Sequence, residues 1–116
     1  MLPFYFYIMN LTRTKLLEKK YNYPKGFINL KYSRHFQERV DERCLGFDCM
    51  PTMVKITEDN IHSAKTIDNK TLSSVVVKLK YNNDKYVFIA FNPFDGGAKS
   101  FWFQRKNNEQ SNKKNN

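Results

Sequence analysis

Between Ile61 and Gln104, four runs rich in β-branched and aromatic residues are separated by three clusters of turn-forming residues. The runs are Ile61 to Ile67, Leu72 to Tyr81, Lys85 to Phe91 and Ala98 to Gln104. The breaks are Asp68-Asn69-Lys70, Asn82-Asn83-Asp84 and Asn92-Pro93-Phe94-Asp95-Gly96-Gly97. Asn and Asp side chains bond to their own backbone, Gly tolerates positive φ and Pro fixes it, so these clusters reverse the chain locally. Strands joined by such short turns pair antiparallel. The pattern therefore predicts a four-stranded meander. In its second strand Val75, Val77, Leu79 and Tyr81 share one side, while Val76, Lys78 and Lys80 share the other, so the polar side is basic. The third strand is apolar on both sides, with Tyr86, Phe88 and Ala90 opposite Val87, Ile89 and Phe91. That is the signature of a central strand.

The first half reads as helices. Asn10 or Thr12 suits the N-cap of a helix through Lys15-Leu16-Leu17-Glu18-Lys19-Lys20, ended by Pro24 and Gly26. Phe27 to Tyr32 reads as a short strand or extended lead-in. Ser33 suits the cap of a second helix with Phe36, Val40 and Cys44 as its buried stripe and Gly46 as its stop. Asp48 suits the cap of a short third helix through Met53, Val54 and Ile56, with Pro51 in its first turn. The expected class is α+β: two or three N-terminal helices packed on one face of a curved four-stranded antiparallel sheet.

At 116 residues the chain holds one modest core. The expected domain runs from 10 to 105. Residues 1–9 are apolar but too few to span a bilayer, and they lack a basic n-region. They read either as an extra strand or as an extension ahead of a start at Met9. Residues 106–116, rich in Asn, Lys and Gln, read as a disordered basic tail. Cys44 and Cys49 lack a second pair of ligands and read as reduced thiols of a cytoplasmic protein. No metal site and no cofactor are expected.

Twenty Lys and Arg against eleven Asp and Glu give a formal charge of +9. Such a chain is drawn to polyanions, and its binding weakens with salt. The sharpest local pattern is Arg34-His35-Phe36-Gln37-Glu38-Arg39-Val40-Asp41-Glu42-Arg43. On a helix His35, Arg39 and Arg43 share one face at i, i+4 and i+8. An imidazole beside two fixed cations can bind a phosphate and move a proton near neutral pH. Alone, the spacing also describes an ordinary solvated charged face. RNA carries its own nucleophile in the 2′-OH, so its cleavage needs a base, an acid and cations around the phosphate, with no metal. The acidic residues alternate with arginines and form no Mg²⁺ cluster. His62, the other imidazole, is the candidate for the second proton-transfer group. Lys31, Arg34, Lys55, Lys65, Lys78, Lys80, Lys99 and Arg105 are candidate phosphate contacts. Tyr32, Tyr81, Tyr86, Phe101 and Trp102 are candidate stacking surfaces, with core packing the competing use of each.

Leu30 to Arg43 reads Leu-Lys-Tyr-Ser-x-His-x-x-x-Arg-x-x-x-Arg. In those fourteen residues the chain resembles the RegB-like phage endoribonucleases, whose architecture is that of the RelE/YoeB-type ribonuclease toxins. The resemblance implies that His35 matches a catalytic histidine and Arg39 a functional arginine. The family's second important histidine falls near Lys55, a departure with three outcomes: Lys55 takes a charge-stabilising role, His62 substitutes from the strand, or cleavage is lost. The resulting expectation is a metal-independent endoribonuclease that gives a 2′,3′-cyclic phosphate. It would be phage-encoded or toxin-like and act on messenger RNA in the host cytoplasm, with ribosome association open. Two alternatives stand beside it. One is a non-catalytic RNA-binding translational repressor. The other is a small basic phage protein that binds a host protein.

Overall fold

The computed structural model describes residues 9–18, 21–43, 50–68 and 70–106. In chain order the elements are β1 (Met9–Thr12), α1 (Arg13–Glu18), β2 (Phe27–Asn29), β3 (Lys31–Tyr32), α2 (Arg34–Arg43) and β4 (Met53–Lys55). They are followed by β5 (Ile61–Thr66), β6 (Leu72–Lys80), β7 (Lys85–Phe91) and β8 (Gly97–Arg105). The readings that involve residues 1–8, Cys44, Gly46, Asp48, Cys49 and the tail from 107 onward lie outside the described residues.

β5 to β8 pair antiparallel in chain order. Each of their turns is held by one Asn or Asp side chain. Asp68 Oδ1 accepts from the backbone N–H groups of Lys70 (3.0 Å) and Thr71 (2.8 Å). Those bonds favour the ionised carboxyl and hold it below the usual carboxylate range. Asn82 Oδ1 accepts from Asp84 (2.8 Å) and Lys85 (2.9 Å), and Asn92 Oδ1 from Phe94 (2.8 Å) and Asp95 (3.3 Å).

The sheet is larger than a four-stranded meander. Its order is β1-β5-β6-β7-β8-β3, six strands with a parallel edge pair, β3 with β8. β1 adds at the other edge through Met9↔Thr66 to Thr12↔Ser63. The expected architecture of two or three N-terminal helices on a four-stranded antiparallel sheet is therefore incorrect, and with it the RelE/RegB-like arrangement. Two helices occur among the described residues, and α1 is only six residues long. The third helix is replaced by β4, which pairs with β2 in a separate two-stranded ribbon. The physical reason is visible in Met53-Val54-Lys55-Ile56. Val54 and Ile56 are buried while Met53 and Lys55 are exposed, a period of two that a strand satisfies and a helix does not. The extended lead-in divides at Leu30, whose N–H donates to Thr52 O, so β2 joins the ribbon and β3 joins the sheet.

One face of the sheet is covered. Val75, Val77, Ile89 and Phe91 are fully buried there, with Leu11, Ala64, Val87 and Phe101 beside them. Burial of each large aliphatic or aromatic side chain contributes roughly 1.5–3 kcal/mol. Leu16 from α1, Phe36 and Val40 from α2, and Ile28 and Val54 from the ribbon complete the same core. Ser33 starts α2, its Oγ accepting from Phe36 N at 3.1 Å. Phe36 then packs between Tyr32 and Phe101, at ring separations of 4.6 and 5.1 Å.

Candidate nucleic-acid interface

α2 carries the expected His35–Arg39–Arg43 face, and all three side chains are exposed. Arg39 Nε donates to His35 Nε2 at 3.1 Å. The imidazole therefore accepts at Nε2, and in the neutral ring its proton lies on Nδ1. Arg43 is turned toward the sheet, with its guanidinium carbon 5.4 Å from the Phe101 ring centre. Arg34 is paired with Glu38 at 3.9 Å, both well exposed. Gln37 bonds to Asp41. This face is a charged helix surface in which the side chains largely answer one another.

His62 is not on that side of the molecule. α2 packs on the covered face through Phe36 and Phe101, whereas the His62 ring meets Phe88 edge-on at 5.0 Å on the opposite face. Phe88 is buried yet stands apart from the core cluster. The sheet lies between the two imidazoles. Lys55 sits on β4 with its ammonium 5.9 Å from the Phe27 ring centre, and its carbonyl accepts from Asn60. Lys55 and Lys80 line a cleft of about 440 Å³ with the exposed Phe27 and Met53. Lys31 lies on the edge strand β3, and Arg105 falls at the strand parity of Phe101 and Phe103, the parity of the covered face.

The opposite face is open: among the described residues no helix or strand packs on it. Its side chains form rows across the strands, fixed by register. Lys78, Phe88 and Trp102 are cross-strand partners in one row. The Phe88 and Trp102 rings stack with centres 5.5 Å apart and planes 2° apart. Trp102 keeps 41% of its surface exposed, a large value for the only tryptophan in the chain. Lys78 Nζ lies 4.2 Å from the centre of the Tyr86 ring, and Lys106 Nζ lies 5.0 Å from it. The neighbouring row is small: Ser63, Val76, Ala90 and Ser100 face one another across β5 to β8. Small side chains beside tall aromatic ones leave a trough. It has a volume of about 500 Å³, Trp102 as one wall, and Asn10, Lys65, Ser74 and Lys99 around it. That volume is in the range of ordinary ligand sites.

Of the three register slips in the sheet, one of them between Lys65 and Thr66, two insert an extra residue that bears on this face. The register of β5 on β6 slips between Ile61 and Ser63, and that of β8 on β7 slips between Ala90↔Ser100 and Phe91↔Ala98. The extra residues are His62 and Lys99. A bulge re-aims a side chain. One brings the imidazole over Phe88, and the other brings an ammonium to the trough beside Ser100.

Of the residues singled out in the sequence, the open face gathers His62, Lys65, Lys78, Tyr86, Lys99 and Trp102. His35, Arg39 and Arg43 belong to the other side, and Lys31 lies on the edge strand β3 at the parity opposite to Tyr32. Phe101 is core, and Tyr32 and Tyr81 pack against the core. Phe88 and the row of small residues were not legible as part of a site. Their signal is cross-strand register, which no single strand displays. On the third strand's second face, Phe88 is covered by its own neighbours, His62, Lys78 and Trp102. Among the described residues no group of three or more His, Cys, Asp or Glu side chains is placed to hold a metal. Among the described residues no helix is long and apolar enough to cross a membrane. Compared with protein-family models, curated proteins and solved structures, the chain matches none.

Proposed function

We propose that this protein binds single-stranded RNA on the open face of its six-stranded sheet. The observation that carries the reading is the stacked Phe88–Trp102 pair, exposed at Trp102 and ringed by lysines. Nucleobases stack on exposed aromatic rings, and each such contact is worth roughly 1–3 kcal/mol. Lysines supply the sequence-independent attraction to phosphate. A duplex hides its base faces, so a stacking surface favours unpaired strands.

RNA cleavage at His35 is the second reading, and the Arg39–His35 hydrogen bond supports it by placing a cation beside a titratable ring. In this reading His62 is not the second group, because it stands across the sheet.

One experiment separates the two. A labelled twelve-nucleotide unpaired RNA is incubated with the protein in EDTA, then assayed by fluorescence anisotropy and on a sequencing gel. RNA binding predicts intact RNA, a steep fall in affinity with salt, a loss of about tenfold or more in Trp102→Ala, and little change in His35→Ala. Cleaved RNA that stays whole with His35→Ala establishes the nuclease reading instead. Wild-type affinity in Trp102→Ala removes the open face as the binding surface.

A further inference from the structure

The trough beside Trp102 has a direction and a length, and both follow from the register. Ser63, Val76, Ala90 and Ser100 lie side by side on four neighbouring strands, so the floor crosses the strands rather than following one. Three strand spacings set its length at about 14 Å. Lys65 on β5 stands toward one end, and Lys99, the bulged residue of β8, stands at the other beside Trp102. The floor is apolar in its middle, at the half-buried Val76 and Ala90, and hydroxylic at its ends, at Ser63 and Ser100.

Resting on the RNA-binding reading above, we infer that this trough is a dinucleotide subsite that receives an RNA strand running across β8 to β5. One base stacks on Trp102, the phosphate next to it meets Lys99, and the following phosphate meets Lys65. The ribose between them lies over Val76 and Ala90. A hydroxyl both donates and accepts, so Ser63 and Ser100 are matched to 2′-OH groups. The site therefore prefers RNA to DNA. A length of about 14 Å accommodates two nucleotides and gains nothing from a third.

Trp102 is the only tryptophan, so its fluorescence reports this site alone. The probes are the 5′-phosphorylated diadenylate as RNA and as DNA, adenosine 5′-monophosphate, inorganic phosphate, and a twelve-nucleotide oligoadenylate. The ribo-diadenylate is expected to quench Trp102 with a midpoint at least fivefold below those of the deoxy form and the mononucleotide. Lys65→Ala and Lys99→Ala are each expected to raise that midpoint about tenfold, and Lys25→Ala to leave it unchanged. All three lysines are exposed, so these variants keep the core intact. Phosphate alone is expected to leave the signal unchanged.

If the twelve-mer binds but the diadenylate does not quench, or if Lys65→Ala and Lys99→Ala bind it like wild type, the dinucleotide subsite is wrong and the RNA-binding face stands. A mononucleotide that binds as tightly as the diadenylate overturns the strand assignment in favour of a free-nucleotide site. If no probe binds, both readings fall.

Discussion

Gly96 shows how one residue fixes the edge of the sheet. Its φ of +78° lies in the left-handed region, where a side chain is strained. A Cβ there would also stand 2.0 Å from Asn29 O, a backbone atom with nowhere to go. The close approach has a purpose in the fold, because the Gly96 carbonyl accepts from Lys31 N at 2.8 Å and ties β3 to the β7–β8 turn. Gly96→Ala is expected to cost about 2–4 kcal/mol, read as a lower midpoint in urea denaturation with an unchanged slope. A midpoint equal to wild type would mean that β3 is not held through this turn. Gly26 makes the contrast, since a Cβ there would meet nothing within 4 Å.

At the scale of elements, the strands of the meander were legible because each shows its own alternation and each turn announces itself in Asp68, Asn82 or Asn92. What was not legible depends on partners distant in the chain. β1 and β3 are short edge strands whose pairing with β5 and β8 exists only once the sheet has formed. Met53 to Ile56 read as a helix because an Asp stood before it, while the tertiary pairing of Val54 with Ile28 makes it a strand. The bulges hid the candidate site. Strict alternation from Phe101 assigns Lys99 to the covered face, and the slip at Ala90/Phe91 moves it to the trough. The start of α2 was legible from Ser33 alone, because the cap is a local bond. Ser33→Ala is expected to lower stability by about 1 kcal/mol in thermal denaturation, and Ser33→Asp to restore it. An unchanged Ser33→Ala would show that the packing of Phe36 holds the helix end without the cap.

On the scale of the whole molecule, the sheet separates two chemically different sides. One bears α1, α2 and the ribbon over the core, with a charged helix surface in which Arg34, Glu38, Arg39, His35, Gln37 and Asp41 contact one another. The other, uncovered among the described residues, is an aromatic and lysine-bearing face. The formal charge of +9 draws a polyanion to the protein as a whole, and geometry decides which side receives it. Two double charge reversals test this most directly: Lys78→Glu with Lys99→Glu on the open face, and Arg34→Glu with Arg39→Glu on α2. Each pair lowers the net charge by the same amount, so the long-range attraction falls equally in both. Affinity for an unpaired twelve-nucleotide RNA is measured by anisotropy at one fixed salt concentration. An RNA-binding open face predicts a loss of about hundredfold in the first variant and a loss several times smaller in the second. Equal losses, or a greater loss in the α2 variant, would contradict it.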